Sequence, residues 1–449
     1  VLLPALLAAM AAAPLAAQDT PGGGNKPDTT TSTTESQKYS EAQQIPIQNY
    51  RPTDKRGLNV FEARKNDGVP YTGFKLMFGA AFTQQFQNIH DSNTAAPNVQ
   101  SGVDLNKLVE IGPGFNNAVA NLYITAQLAR GVSVHMTSYL SSRHHSETWV
   151  KDGFILIDSS PIDVPVLNDI MKYTTLRIGE MEINYGDSHF RRTDNGNAIY
   201  NPFVGNLIMD PFTTEAGAEA YVRSGGLLGM VGVTAGQLHP SVVDPRHRNP
   251  SVIGKLGFDR QLTPDLRFRL TGSVYTNPHS TEENLYTGDR AGSRYYFVME
   301  NASATENSSL RSGMLNPGMT YKLTSWVINP FVKFNGLELF GQFEQAHGRT
   351  KAEAADRTWH QTAIDATYRL LPGEPLYVAA RYNTVSGPLA GTTTSVGADR
   401  WQFSGGWYIT NNILLKGEYV TQHYNDYKNT SIFSGGKFHG FIFEGTVAF

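Results

Sequence analysis

Cysteine is absent from the 449-residue chain, which excludes a disulfide framework and any thiolate metal site. Charge of a single sign is lacking too. The 37 basic residues face 40 acidic ones, a net charge of -3, so no field gathers a nucleic acid. Long apolar runs stop early: after Ala17 nothing approaches the roughly 20 apolar residues of a membrane-spanning helix. If the chain crosses a membrane, it does so as strands. Catalytic signatures are missing as well, with no Walker-type loop, no Gly-x-Ser-x-Gly elbow and no His-Glu-x-x-His pattern. The neighbours His144 and His145, and the group His239, His247 and Arg248, read as exposed loop residues, since adjacency without a carboxylate or third ligand at suitable spacing makes no metal site. The sequence implies no cofactor.

What is present begins with VLLPALLAAMAAAPLAA, a small, alanine-rich apolar run read as a secretory signal segment, residues 1–17, with cleavage after Ala17. Residues 18–45 are rich in Gly, Pro, Thr and Ser and bury too little to offset the entropy of ordering, so they read as a flexible leader. The remainder, 46–449, reads as one barrel with strands from about residue 74.

From Phe74 the apolar pattern has period two. Phe74, Leu76, Phe78 and Phe82 alternate with Lys75, Met77, Gly79 and Thr83, and segments of about ten residues like this recur to the C-terminus. Short links at Arg130-Gly131, Ser224-Gly225-Gly226, Thr263-Pro264-Asp265, Asn335-Gly336, Pro372-Gly373-Glu374 and Asn411-Asn412 carry hairpin-turn residues. They alternate with long polar stretches at 88–116, 183–214, 239–249, 277–319, 387–395 and 425–435. The expectation is an all-β, antiparallel transmembrane barrel of about sixteen strands, with short turns on one rim and long loops on the other. Two stretches fit least well, 149–173 and 291–300.

Orientation separates this reading from a soluble sandwich. The strands exceed the five to six residues common in soluble sheets and suit a tilted bilayer crossing. Apolar residues then face lipid, with Trp326, Trp401, Trp407, Tyr382, Tyr419 and Phe449 as interface aromatics. In lipid a sheet must close on itself, so a last strand running to Phe449 is what closure asks for. The ending also resembles the C-terminal signature of outer-membrane barrels, which implies recognition of Phe449 by the barrel-assembly machinery.

Function is sought in LRIGEMEINYGDSHFRRTDNGNAIYNPFVGN, residues 176–206. A strand runs into a long loop carrying Asp187, His189, Arg191, Arg192, Asp194, Asn195 and Asn197. The segment resembles the strand and constriction loop of phosphate-selective-type porins, whose Arg-Gly strand motif is matched here by Leu176-Arg177-Ile178-Gly179. Where that family concentrates Lys or Arg, this loop sets Arg191 and Arg192 among acidic neighbours. They either focus a field for anions or pair with Asp187 and Asp194. Parity places Lys75, Arg177, Arg223, Lys255, Arg267, Arg269, Lys333, Arg369, Arg381, Arg400 and Lys416 in the lumen. Opposite them stand Glu219, Asp259, Glu338, Glu344, Asp365, Glu418 and Glu444.

The expected function is a passive porin for small hydrophilic solutes with a weak anion preference. It would sit among outer-membrane lipid and lipopolysaccharide, as a trimer if general porins of this size are the guide. Rival readings are a barrel enzyme with a rim site and a structural or adhesive barrel with a plugged lumen.

Overall fold

The structure, a computed structural model, describes Glu62, Lys65 and residues 69–449 apart from 117, 142–147, 192–197, 238–241, 243–248, 288–294 and 306–311. The expected signal segment and leader lie outside the described residues, as do His144, His145, His239, His247 and Arg248.

Sixteen long antiparallel strands form the wall among the described residues, and the two-residue strand Gly114–Phe115 pairs beside the first of them. The first eight are Lys75–Ser92 (β1), Val119–Ala129 (β2), Val132–Ser141 (β3), Thr148–Ile157 (β4), Thr174–Glu182 (β5), Thr214–Ser224 (β6), Leu227–Thr234 (β7) and Ser251–Gln261 (β8). The second eight are Leu266–Asn277 (β9), Lys322–Phe334 (β10), Leu337–Arg349 (β11), Arg357–Leu370 (β12), Leu376–Pro388 (β13), Ser395–Thr410 (β14), Ile413–Asn425 (β15) and Lys437–Ala448 (β16). Each pairs with its neighbour in sequence, and the sheet closes because β1 pairs with β2 on one side and with β16 on the other, from Ala81↔Ala448 to Ser92↔Lys437. Phe449 completes the seam: its N–H donates to Ala80 O and its carbonyl accepts from Ala80 N–H, both at 2.9 Å. No sheet edge is left along that seam to need water.

The alternation has the sense a bilayer requires. On β14 Phe403 is 48% exposed while its neighbour Gln402 is fully buried, and on β16 Phe443 is 47% exposed beside a buried Glu444. Trp326, Trp401 and Trp407 also point outward. Apolar side chains thus cover the outside and polar ones crowd the inside, the inverse of a soluble core. The chain is a transmembrane β-barrel of the outer-membrane kind.

All six anticipated hairpin links join consecutive strands on one rim, called the turn rim below. The poorly fitting stretch after β4 proves to be a seventh connection on that rim, residues 158–173, containing the helix Pro165–Met171 (α1). A proline at the start of α1 fixes φ for its first turn, while Val164, Val166, Leu167 and Ile170 stay exposed. On the loop rim the reading of 88–116 as loop is corrected, since β1 continues to Ser92. Two further connections there, 142–147 and 350–356, are too short to show as long polar stretches. The segment 291–300 is not a strand where it is described.

Candidate functional site: the barrel interior

The loop between β5 and β6, residues 183–213, turns inward and stays against the inner wall. Its first part is fastened to β6 and to β8–β11. Asn184 N–H donates to Glu219 Oε1 at 2.8 Å, and Lys255 Nζ reaches Asn184 Oδ1 and Gly186 O at 2.7 and 2.6 Å. Asp187 accepts from Arg269 Nε and Nη2, both at 2.8 Å, and from Thr271 Oγ1 at 2.6 Å, with Lys255 Nζ 2.7 Å away. Tyr185 OH reaches Glu344 Oε1 on β11 at 3.1 Å.

The later part crosses to β12–β15. Val204 N–H donates to Glu418 Oε2 at 2.7 Å, Ile208 N–H to Asn383 Oδ1 at 2.7 Å and Met209 N–H to Gln361 Oε1 at 3.0 Å. Tyr408 OH donates to Ile199 O and Ser404 Oγ to Pro202 O, each at 2.6 Å. Backbone groups of an irregular segment have no ladder to satisfy them, and side chains projecting from the wall do it instead. Ile199 and Phe203 pack on Tyr377, Tyr408 and Leu414, side chains next to the turns, so the loop descends from the loop rim into the turn-side half.

A second loop, 278–321, lies over the first. Leu315 N–H donates to Ile208 O and Phe212 N–H to Leu285 O, both at 2.8 Å, while Tyr295 OH donates to Glu418 Oε1 at 2.7 Å. Between the loops Ile183, Val204, Ile208, Leu285, Val298 and Leu315 form part of a buried apolar cluster inside the barrel. Sequence reasoning missed this second inward loop; its signal is the apolar Tyr295, Phe297, Val298 and Met299 within a long polar stretch. In this loop burial pushes the Glu283 carboxyl up to about 8 against donation from the Leu285 N–H, and the nearby Glu215 carboxylate adds to the rise.

Every lumen residue expected from parity lies on the inner face, and the described cations there are held mostly in ion pairs. Arg177 pairs with Glu219 at 2.9 Å, Arg267 with Asp259 at 2.7 Å, Arg369 with Glu338 at 2.7 Å and Arg381 with Asp365 at 2.7 Å. Lys333 reaches Glu374 at 2.8 Å and Lys416 reaches Glu444 at 2.6 Å. A buried charge is tolerated when a partner and further hydrogen bonds replace its water, and these pairs meet that condition. Arg223 donates to Thr175 Oγ1 at 3.2 Å. Arg400 differs: its described hydrogen bonds run to Gln422 Oε1, Asn206 O and Gly313 O, each at 2.6 Å, all neutral acceptors.

Of the loop residues singled out from sequence, Asp187 is bound to Arg269 and Lys255. His189 Nδ1 lies 2.8 Å from Glu182 Oε1. Arg191 closes a short 3-10 turn, Ser188–Arg191, and Arg192, Asp194, Asn195 and Asn197 lie outside the described residues.

Glu62 and Lys65, which the sequence placed ahead of the first strand, enter the same network from the turn rim. Glu62 accepts from Arg269 Nη1 and Nη2 at 2.8 and 2.9 Å; Lys65 Nζ donates to Asp158 O and Thr174 O, both at 2.5 Å. Burial alone would raise the Glu62 carboxyl, but the Arg269 charge and its hydrogen bonds carry it below the usual carboxylate range. Burial opposes ionisation of Asp187 too, and Arg269 with Lys255 overrides it by a wide margin. No sequence period flags Glu62, since it sits outside the alternating pattern.

No protein-family model and no curated protein sequence matches the chain. Among solved structures it is similar to the anion-selective porin from Comamonas acidovorans, at 10% identity and a TM-score of 0.50, over 84% of this chain and 100% of that one. It is similar also to the outer membrane channel DcaP of Acinetobacter baumannii, at 9% identity and a TM-score of 0.50, covering 85% and 99%. The trimer form of OmpT, an outer membrane protein of Vibrio cholerae, matches at 8% identity and a TM-score of 0.50, covering 84% and 100%. At such identities the likeness is one of fold, that of the outer-membrane porins and channels.

Proposed function

We propose that this protein is a porin-like channel through which small hydrophilic solutes diffuse across a bacterial outer membrane, with the loop 183–213 setting the size and charge limits of the passage. One observation carries the reading. A loop that starts at the far rim descends inside a lipid-belted barrel and is held at depth by polar and charged side chains projecting from the wall. A barrel that needed only a filled core would be expected to pack apolar side chains inward, whereas this one spends its inner face on charge and amide groups.

A weak anion preference is the finer part of the proposal. It is supported by the inner-face guanidinium of Arg400, whose described hydrogen bonds go to neutral acceptors. Phosphate, the solute suggested by the Leu176–Gly179 resemblance, is one candidate anion. The reading involves no catalysis, and it takes the N-terminal segment as an export signal and Phe449 as the residue read during assembly. The similar trimer form is the ground for proposing a trimer here.

The apolar cluster between the two inward loops favours a second reading, a barrel closed at rest. Planar-bilayer recording of the purified protein divides the two. Stable conductance steps, with a reversal potential on the anion side of zero in a potassium chloride gradient, are expected. A silent barrel would leave the closed reading.

A further inference from the structure

The closing seam differs from every other junction between the long strands of the wall. Its two strands, β1 and β16, stand at opposite ends of the strand order, so no single turn or loop joins them and their register alone holds them side by side. On the outer face near the loop rim that register sets two histidines opposite each other, His90↔His439. Both are exposed, with ring centroids 6.2 Å apart and ring planes tilted by 44°. Neither ring takes part in a hydrogen bond or salt bridge among the described residues.

Position and spacing both suit an ion. Two residues further toward the middle of β16, Phe441 packs on Tyr419 of β15 at 5.0 Å. The histidines lie beyond this aromatic pair, on the loop-rim side, where water and ions reach them. Two imidazoles that share an ion, each through a nitrogen at about 2.0–2.1 Å, have ring centroids roughly 5–6 Å apart. A small rotation of two exposed side chains meets that condition. Thr421 on β15 lies opposite His439, and Lys437 is two residues along β16 on the same face. The Lys437 charge opposes a cation here, but its flexible four-carbon stem lets it turn away. No group of three histidines or carboxylates forms among the described residues, so water fills the remaining coordination positions.

We propose that His90 and His439 form a two-imidazole site for a transition-metal ion of the zinc or nickel type, and that the bound ion clamps the seam of the barrel from outside. Imidazole suits such ions, whereas magnesium and calcium prefer oxygen ligands. In the unfolded chain the two histidines are far apart in sequence. An ion therefore bridges them only in the closed barrel, and adds to its stability by mass action. The site stands whether or not the lumen conducts.

The test uses the whole purified protein in detergent and reads the temperature at which the folded, heat-modifiable band is lost on gels. Zinc chloride, nickel chloride, magnesium chloride and a chelator are compared at equal ionic strength. Zinc and nickel should raise that temperature by several degrees over the chelator, and magnesium should not. His90→Ala and His439→Ala should each abolish the rise, and the double replacement should do no more, because the clamp needs both rings. No rise in wild type overturns the site, and so does an equal rise in magnesium. A partial rise in each single variant would mean two independent histidines, and a full rise in the double variant would put the ion elsewhere; either result overturns it. Should a variant fail to fold, wild type decides alone. Modification of His90 and His439 by diethyl pyrocarbonate, read by mass spectrometry, should slow several-fold in zinc relative to magnesium, and equal rates would overturn the site.

Discussion

Lys416 sits on the inner face of β15, and its ammonium lies within 3.0 Å of three loop carbonyls, those of Ala198, Asn201 and Phe203, as well as 2.6 Å from Glu444 Oε1. Replacing it by methionine keeps the stem and deletes the charge, leaving Glu444 buried without its partner. The expected cost is roughly 3–5 kcal/mol, the range for breaking a buried pair from one side. A lower unfolding temperature in detergent should report it, together with noisier current as the loop works loose. Glu283 gives the second prediction at this scale. Its carboxyl titrates near 8 when seated and near 4.5 when free, so the seated form holds the extra proton between those values. Stability of the seat is therefore fully present below about pH 4.5, falls as pH rises and reaches its floor above about 8. With no native cysteine to interfere, a nitroxide at Thr287→Cys should become more mobile from pH 5 to pH 9, and Glu283→Gln should flatten the response. Parity in the sequence told which way Lys416 points, and had no bearing on Glu283, which lies outside the strands. It said nothing of what they meet, because their partners come from loops without a period.

Among the elements, β5 shows why a glycine belongs in the Leu176-Arg177-Ile178-Gly179 stretch. Gly179 has φ of +147°, and a Cβ there would come within 2.3 Å of Gly153 O and 2.6 Å of Phe154 Cα on β4. Arg177, two residues earlier on the same face, stacks its guanidinium 4.4 Å from the Phe154 ring. Gly179→Ala should force the two strands apart at the root of the inward loop, lowering the yield of heat-modifiable, folded barrel on refolding; normal yield would show that the strand has room to shift. The strands themselves were legible because alternation and turn residues are local signals. The connection 158–173 was not, since α1 breaks the alternation with too few residues to establish a helical period. The long loops were visible as polar stretches, yet their inward course depends on acceptors and donors scattered over β6 and β8–β15.

At the scale of the whole molecule the governing fact is orientation, grease outward and charge inward around a closed sheet. Phe403 sits near the middle of β14 on the outer face, stacked at 5.8 Å on Trp401. Phe403→Arg should therefore cost about 2–4 kcal/mol if the site lies near the bilayer midplane, by the usual price of a cation on the lipid face. Reversible folding into lipid vesicles would measure it. A variant as stable as wild type would mean that this face does not meet hydrocarbon.

The amino-acid sequence by itself determined the class of fold, the strand sense, six of the turns and the inward set of charged residues. Each of these follows from a period of two and from turn chemistry, both confined to a few neighbouring residues. Tertiary structure alone decided that the inner cations are largely neutralised, that two loops rather than one occupy the interior, and that Asp187 and Glu62 converge on Arg269. Those outcomes depend on barrel closure, which sets residues from opposite ends of the chain side by side, at separations such as the 207 positions between Glu62 and Arg269 that no local pattern spans.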